Sequence, residues 1–326
     1  MYKISYSQRV KTSKQSNKSI IKIASKNLNV NVICSLFILS KGEIVIGSWN
    51  NEINILFPPF INKIETLSPS HDNWVKSFLE VKYKDNHLLL SGSRDKSIKI
   101  WNIKNHPYIN VTTLTFHQGT IYSMIQIQNY ILSASFDFCI IIWDIESYNI
   151  FSKLNIHSSP VLKLINLDSD KYYSCSEKGD IIINDFPNQL ICKVKGSKQG
   201  VVDLFYNSDK HLIFSLEKYC FIRVWELTLH NEKSYMDCIL TICLDLSNNI
   251  FILPNSFYFF DSYIFICCNH KEILSYGTNT FLNNKQLTIK QTNSNFSQII
   301  KIKEQNIIIT SSVNSELAIW KIQENN

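Results

Sequence analysis

The residues able to do chemistry come in repeating sets. His71, Ser91 and Asp95 recur as His117, Ser133 and Asp137, and each set ends on a tryptophan, Trp101 or Trp143. Serine, histidine and aspartate are the residue types of a nucleophilic triad, in which an imidazole takes the hydroxyl proton and a carboxylate fixes the imidazole. Two features weigh against that use here. The set occurs twice at one repeat position, whereas catalytic centres are rarely duplicated within one fold. Each set also contains a tryptophan, whose indole N–H needs a buried partner. A partial third set has His157 and Ser174, with Lys178 in the aspartate position and Asn184 in the tryptophan position. That segment is expected to be less rigid, or held by different contacts.

A second grouping is Cys238, Cys243, Cys267, Cys268 and His270. Thiolates and imidazole bind zinc, so a soft-metal site is conceivable there. Cys267 and Cys268 are adjacent in a predicted strand, however, and point to opposite faces. Buried strand thiols, and no metal, are the expectation. The nine cysteines include no CxxC pair, which suggests neither a disulfide framework nor a zinc ribbon. There is no GxGxxG, P-loop or HExxH, and with eight glycines a phosphate-cradling loop is not expected. No cofactor is implied.

The elements that carry these residues follow from composition and periodicity. Ile occurs 49 times and Ala three times among 326 residues, a balance that favours strands over helical bundles. The 34 asparagines suit many turns. One unit recurs: LLLSGSRDKSIKIWNI (88–103) and ILSASFDFCIIIWDI (131–145) each run from apolar residues through a turn with Asp to a Trp. Aligning on that tryptophan gives seven anchors, Leu56, Trp101, Trp143, Asn184, Trp225, Tyr276 and Trp320. They are 45, 42, 41, 41, 51 and 44 residues apart. Period-two alternation within each copy predicts strands with one buried and one exposed face. Further short strands flank each pair, giving four per copy. Such small sheets cannot bury both faces alone, and radial stacking solves that problem.

These residues resemble the WD40-repeat β-propellers. The carriers are the dipeptide Trp143-Asp144, the near-copy Trp101-Asn102 and the turns at Asp95 and Asp137. The resemblance spans roughly residues 19–322 and is strongest in the second and third copies. It implies an all-β, seven-bladed propeller of four-stranded antiparallel blades. In that family, the sets His71, Ser91, Asp95, Trp101 and His117, Ser133, Asp137, Trp143 resemble a structural hydrogen-bond chain, so no enzyme is expected. The segment SIIKIAS (19–25) is expected to pair with ELAIWKI (316–322) and close the ring, removing an exposed sheet edge. The expected division is a basic flexible tail over 1–18 and a propeller over 19–326.

A propeller gathers the turn before each first strand and the turn after each second strand at one end. Here those positions include Trp49, Trp74, Lys76, Arg94, Tyr122 and Phe136, with Glu177, Asp203 and Lys218 further round. Exposed aromatics and arginine dominate binding hot spots. A protein or peptide partner, acidic or phosphorylated and with an apolar anchor, suits this end. Packing of Trp49 and Trp74 into neighbouring loops is the plainer alternative. The sixth copy is longest, and its cluster Phe257, Tyr258, Phe259 and Phe260 is read either as a loop over the rim or as extra core.

Charge is uneven. Residues before Glu43 carry eight Lys and Arg and no acid, so the net +6 leaves the remainder at −2. A solvated tail is the simple reading; a contact to RNA through that tail, or a transit peptide, are the others. No signal peptide or membrane span is read from the sequence, and the default compartment is cytoplasmic or nuclear. The functional expectation is a non-catalytic scaffold within a larger complex. A ubiquitin-ligase substrate receptor and a subunit of an RNA-containing particle are the alternatives.

Overall fold

A computed structural model describes residues 7–9, 18–28, 32–57, 64–187, 189–195, 200–208, 211–218, 221–228, 235–243, 252–260, 263–268, 272–277, 286–290, 296–301, 307–312 and 314–324. Strands, turns and loops account for all of them; no helix occurs among the described residues. Two strands, β1 (Ser7–Arg9) and β2 (Lys18–Asn27), precede the repeats. The first sheet is β3 (Ile33–Ile38), β4 (Ile44–Ser48), β5 (Ile53–Leu56) and β6 (Ile64–Thr66). The second is β7 (Val75–Tyr83), β8 (Asn86–Ser93), β9 (Ser97–Asn102) and β10 (Ile109–Thr115). The third is β11 (Ile121–Ile127), β12 (Tyr130–Ser135), β13 (Ile140–Asp144) and β14 (Ile150–Leu154). The fourth is β15 (Val161–Asn166), β16 (Lys171–Ser176), β17 (Asp180–Asp185) and β18 (Gln189–Lys195).

The fifth sheet holds β19 (Val201–Asn207), β20 (Leu212–Glu217), β21 (Phe221–Thr228) and β22 (Tyr235–Cys243). The sixth holds β23 (Ile252–Phe260), β24 (Tyr263–Cys268), β25 (Glu272–Gly277) and β26 (Gln286–Lys290). The last three strands, β27 (Phe296–Lys301), β28 (Ile307–Ser312) and β29 (Glu316–Glu324), take their fourth partner from the start of the chain. There β2 pairs antiparallel with β29, Lys18 opposite Glu324 and Asn27 opposite Glu316. The expected pairing of 19–25 with 316–322 is thus observed and extends a residue or more at each end. Residues 7–9 fall in the expected tail and instead form β1, which pairs in parallel with β22. The physical reason is the open row of backbone N–H and C=O groups along an outer strand, which accepts another chain segment.

The expected alternation holds only at the outer strands. In β10 only Leu114 is buried, whereas β4 and β5 are buried at every residue and β12 and β13 at all but one end. Middle strands lose their solvent face because a neighbouring sheet covers each side. The core is accordingly divided into clusters that each span two sheets. One joins Val81, Leu90 and Ile100 of the second sheet to Ile121, Ile131 and Trp143 of the third. Another joins Ile309 and Leu317 of the seventh to Ile33, Ile44 and Leu56 of the first. First strands pack on one another in series, β3 on β7, β7 on β11, β11 on β15, β15 on β19, β19 on β23 and β23 on β27. The series returns to its start, β27 on β3.

A β-bulge sits near the start of most first strands, after Ile33, Val75, Ile121, Val161, Val201 and Phe296. The residue after the bulge turns its side chain to the next sheet. Ser35 Oγ donates to Val75 O at 2.8 Å, Ser77 Oγ to Ile121 O at 3.2 Å, and Ser123 Oγ accepts from Leu164 N at 3.1 Å. Between the fourth and fifth sheets the same position carries an ion pair, Lys163 Nζ to Asp203 Oδ1 at 3.0 Å. Such closeness requires small residues on the second strand. A Cβ on Gly92 would lie 2.5 Å from Ser77 Oγ and 2.6 Å from Ile121 Cγ2, and one on Gly47 would meet Ser35 Oγ and lie 2.8 Å from Val75 Cβ.

The aromatic cluster Phe257 to Phe260 belongs to β23, paired with Ile266 to Tyr263 of β24, so the loop reading is corrected. The register shift lies between Ile252 and Phe257, at the Pro254 segment, where a residue without an N–H cannot join the ladder. His270 lies outside the described residues.

Gly92→Ala should lower stability by about 1–3 kcal/mol, the range for overpacking a close contact. Urea unfolding of both proteins checks this; an unchanged midpoint would show that the second and third sheets are not wedged so tightly.

Candidate functional site

Each tetrad is assembled from two strands, the turn between them and the loop ahead of the first strand of one sheet. Ser91 lies in β8 and Trp101 ten residues on in β9, while Asp95 sits in the turn between them and His71 in the approach to β7. His71 Nδ1 meets Asp95 Oδ2 at 2.7 Å, and His71 Nε2 meets Ser91 Oγ at 2.8 Å. Trp101 Nε1 donates to the same hydroxyl at 3.0 Å. The second set repeats this: His117 to Asp137 at 2.7 Å, His117 to Ser133 at 2.8 Å, and Trp143 to Ser133 at 2.8 Å. Ser91 and Ser133 are fully buried, so neither hydroxyl meets solvent.

The carboxylates hold the turns. Asp95 accepts from Asp72 N and Ser97 N, and Asp137 from Gln118 N and Cys139 N, at 2.8–3.0 Å. In each turn the next residue, Lys96 or Phe138, has φ of 73°, a left-handed conformation disfavoured for a residue with Cβ. The aspartate hydrogen bonds stabilise a backbone that the sequence alone would not choose. Burial works against ionising Asp95 and Asp137. Only together do the hydrogen bonds from His71 and Ser97, or from His117, the attraction of the imidazoles and the backbone N–H groups of the turns outweigh it, leaving Asp95 far below the usual carboxylate range and Asp137 at about 2.

The set degrades elsewhere in a graded way. Trp225 Nε1 donates to Ser215 Oγ at 2.8 Å and Trp320 Nε1 to Thr310 Oγ1 at 2.9 Å. Sequence reasoning passed over Ser215 and Thr310, although the ten-residue spacing to the tryptophan was the available signal. In the first sheet Ile46 and Leu56 take the serine and tryptophan positions, both fully buried. In the fourth sheet His157 Nε2 reaches Ser174 Oγ at 2.7 Å, but His157 Nδ1 and both polar atoms of Asn184 are buried without a hydrogen-bond partner among the described residues. Burial lowers the pKa of His157 to about 4, with Lys193 adding and Asp180 opposing.

The aromatic and basic residues named from the sequence gather at the ends of the first three sheets. One backbone bond places them. The residue after each second strand donates its N–H to the residue ahead of the first strand, Trp49 to Val32, Arg94 to Trp74, Phe136 to Thr120, Glu177 to Pro160 and Lys218 to Gly200. Trp49 stacks on Trp74 across the first two sheets, ring centroids 4.4 Å apart and planes 5° from parallel. Arg94 lies 4.4 Å from the Trp74 centroid and the Lys76 ammonium 5.2 Å. Tyr122 and Phe136 face each other at 6.5 Å. Trp49, Arg94 and Phe136 are exposed; Trp74, Lys76 and Tyr122 are half-buried.

Lys76 is easier to deprotonate than a free lysine, first because it is desolvated and further because Arg94 repels it, with Cys34 opposing. Burial drives the Cys34 thiol up to about 12, eased by Lys76. Burial also raises Tyr122, with Glu177 adding to it and Arg94 relieving it. Glu177 and Lys218 approach to 3.7 Å, so excess positive charge stays at Lys76 and Arg94. Asp203 is not on this rim. The bulge puts Val202 in the position of Lys76 and Tyr122, and Asp203 is buried against Lys163.

Among the described residues no group of His, Cys, Asp or Glu could hold a metal ion, and no helix is long and apolar enough to cross a membrane. Cys238 is exposed, and its thiol approaches Leu240 O.

Residues 62–102 and 109–144 each match the family described as WD domain, G-beta repeat. Each match begins at or before the outer strand of one sheet, β6 or β10, and ends on the third strand of the next. The sequence repeat therefore straddles two sheets. No curated protein matches the chain.

His157 generates a pH prediction. The unfolded chain takes up its proton near pH 6.5, whereas the folded chain resists until about pH 4. Its contribution is complete above pH 6.5, falls as pH drops through that window and levels off below. The loss is of order ~3 kcal/mol. Urea midpoints measured against pH should decline over this window in the natural protein and less steeply in His157→Gln; identical profiles would contradict it.

Proposed function

From two WD40 repeats at residues 62–102 and 109–144, we propose that the seven sheets are the blades of one propeller, closed by β2, and that the chain is a non-catalytic scaffold. WD40 repeats generally mediate protein–protein interaction. Support for the closed arrangement comes from the pairing of β2 with β29 and the contact of β27 with β3. Support for a structural role of the tetrads comes from their burial. A hydroxyl already shared by an imidazole and an indole, and shut off from water, has no approach for a substrate.

Binding is assigned to the end carrying Trp49, Trp74, Lys76, Arg94, Tyr122 and Phe136. The observation that carries this is the stack of Trp49 on Trp74 with Arg94 beside it. Aromatic rings already fixed by a neighbour lose little entropy on binding, and this suits them to anchor a partner. Two cations share one ring, and an incoming anion would relieve their repulsion. The favoured ligand is a protein segment that sets an acidic or phosphorylated side chain beside an apolar one.

Phosphopeptides arrayed with their unphosphorylated counterparts test this. Binding should favour the phosphorylated members and fall about tenfold or more in Trp74→Ala/Arg94→Ala, with the β-sheet circular dichroism unchanged. Equal binding by the double variant would refute the assignment.

A further inference from the structure

A second aromatic group lies at the opposite ends of the same strands. Tyr130 opens β12 and Phe136 follows its last residue, so a full strand, roughly 20 Å, separates the two groups. Tyr130 and Phe151 come from the third sheet, and Phe186 follows β17 of the fourth. Ring centroids are 4.8 Å apart for Tyr130 and Phe151, 5.0 Å for Tyr130 and Phe186, and 6.5 Å for Phe151 and Phe186. Tyr130 and Phe186 pack against the core shared by these sheets, so the base of the group is fixed. Phe151 is 52% exposed and its neighbour Ile150 is also exposed. An aromatic side chain held from below and bare above is available for contact.

The flank is acidic. Among the described residues Lys171 is the one cation in contact with Asp168 at 3.6 Å, Asp170 at 3.0 Å and Asp185 at 3.3 Å. Three carboxylates around one ammonium leave two negative charges in surplus. The side chains of Asp168 and Asp170 stay about half exposed. This acidic loop is tied to the aromatic group, since Phe186 N donates to Asp170 O at 2.6 Å and Asp185 precedes Phe186 in the chain. Aromatic surface and surplus negative charge are thus adjacent, the reverse of the charge at the Arg94 end.

We propose that this patch docks a basic segment of a partner protein, one that places an arginine or lysine beside a leucine or aromatic side chain. The apolar side chain covers Phe151 and Ile150. The cation pairs with Asp168 and Asp170 and gains from the face of Phe151. The surplus charge repels nucleic acid and anionic lipid, so neither fits.

Selection from a displayed library of random peptides tests the assignment, with Phe151→Ser protein as the counter-selection target. Enriched peptides should carry arginine or lysine next to a large apolar residue. Their binding, measured by fluorescence anisotropy, should weaken about tenfold or more in Asp168→Asn/Asp170→Asn and with added salt. It should be unchanged in Trp74→Ala/Arg94→Ala. Failure to enrich any peptide over the counter-selected variant, enrichment of acidic peptides, or full binding by the aspartate double variant would overturn the proposal. So would light scattering that shows a dimer abolished by Phe151→Ser, which would make the patch a contact between copies.

Discussion

The close approach of consecutive sheets governs the rest of the structure. A four-stranded sheet has two faces and too little surface to bury either by itself. Here β7 and β11 come so near the second strand of the preceding sheet that no Cβ fits at Gly47 or Gly92. The bulge at the head of the strand then swings Ser35, Ser77 or Ser123 into hydrogen-bond range of the following sheet. Apolar clusters form between sheets because of this proximity, and middle strands lose their solvent face for the same reason.

Within each sheet, the hydrogen-bond set at the buried hydroxyl determines how firmly the turn is held. Where His, Ser, Asp and Trp are all present, the carboxylate fixes a turn containing a left-handed residue. Where Ile46 and Leu56 replace the polar pair, the turn again contains a left-handed residue, Asn51, and is held instead by Ser48 Oγ donating to Glu52 O at 3.2 Å and Asn50 Nδ2 donating to Glu52 Oε2 at 2.6 Å. The fourth sheet has neither solution complete. His157 is buried with one ring nitrogen unpaired and Asn184 with both side-chain polar atoms unpaired among the described residues, a costly arrangement because desolvation is not offset by a partner. Proton uptake by His157 therefore weakens this sheet.

Opposite ends of the second to fourth sheets carry opposite chemistry. Arg94 and Lys76 crowd Trp74 at one end, and three aspartates surround Lys171 next to Phe151 and Phe186 at the other. The strands between are rigid and buried, so the two ends are held at a fixed separation. A body with little net charge in this way presents two surfaces of distinct sign.

The amino-acid sequence by itself determined the strand content, the repeat and the pairing of the tetrads. Those features are local: alternation, the spacing between Ser91 and Trp101, and the Asp at the turn are written within one copy of the repeat. It also indicated the partner of residues 19–25, because pairing them with 316–322 removes an exposed sheet edge. Only the tertiary structure decided which residues face the next sheet. A bulge shifts side-chain direction by one position, and nothing in the alternation of Val201, Val202 and Asp203 marks where that shift falls. For that reason Asp203 is buried rather than on the rim. The stack of Trp49 on Trp74 and the junction of Tyr130, Phe151 and Phe186 likewise bring together residues from different sheets. Their contact depends on packing between sheets, which no single repeat encodes.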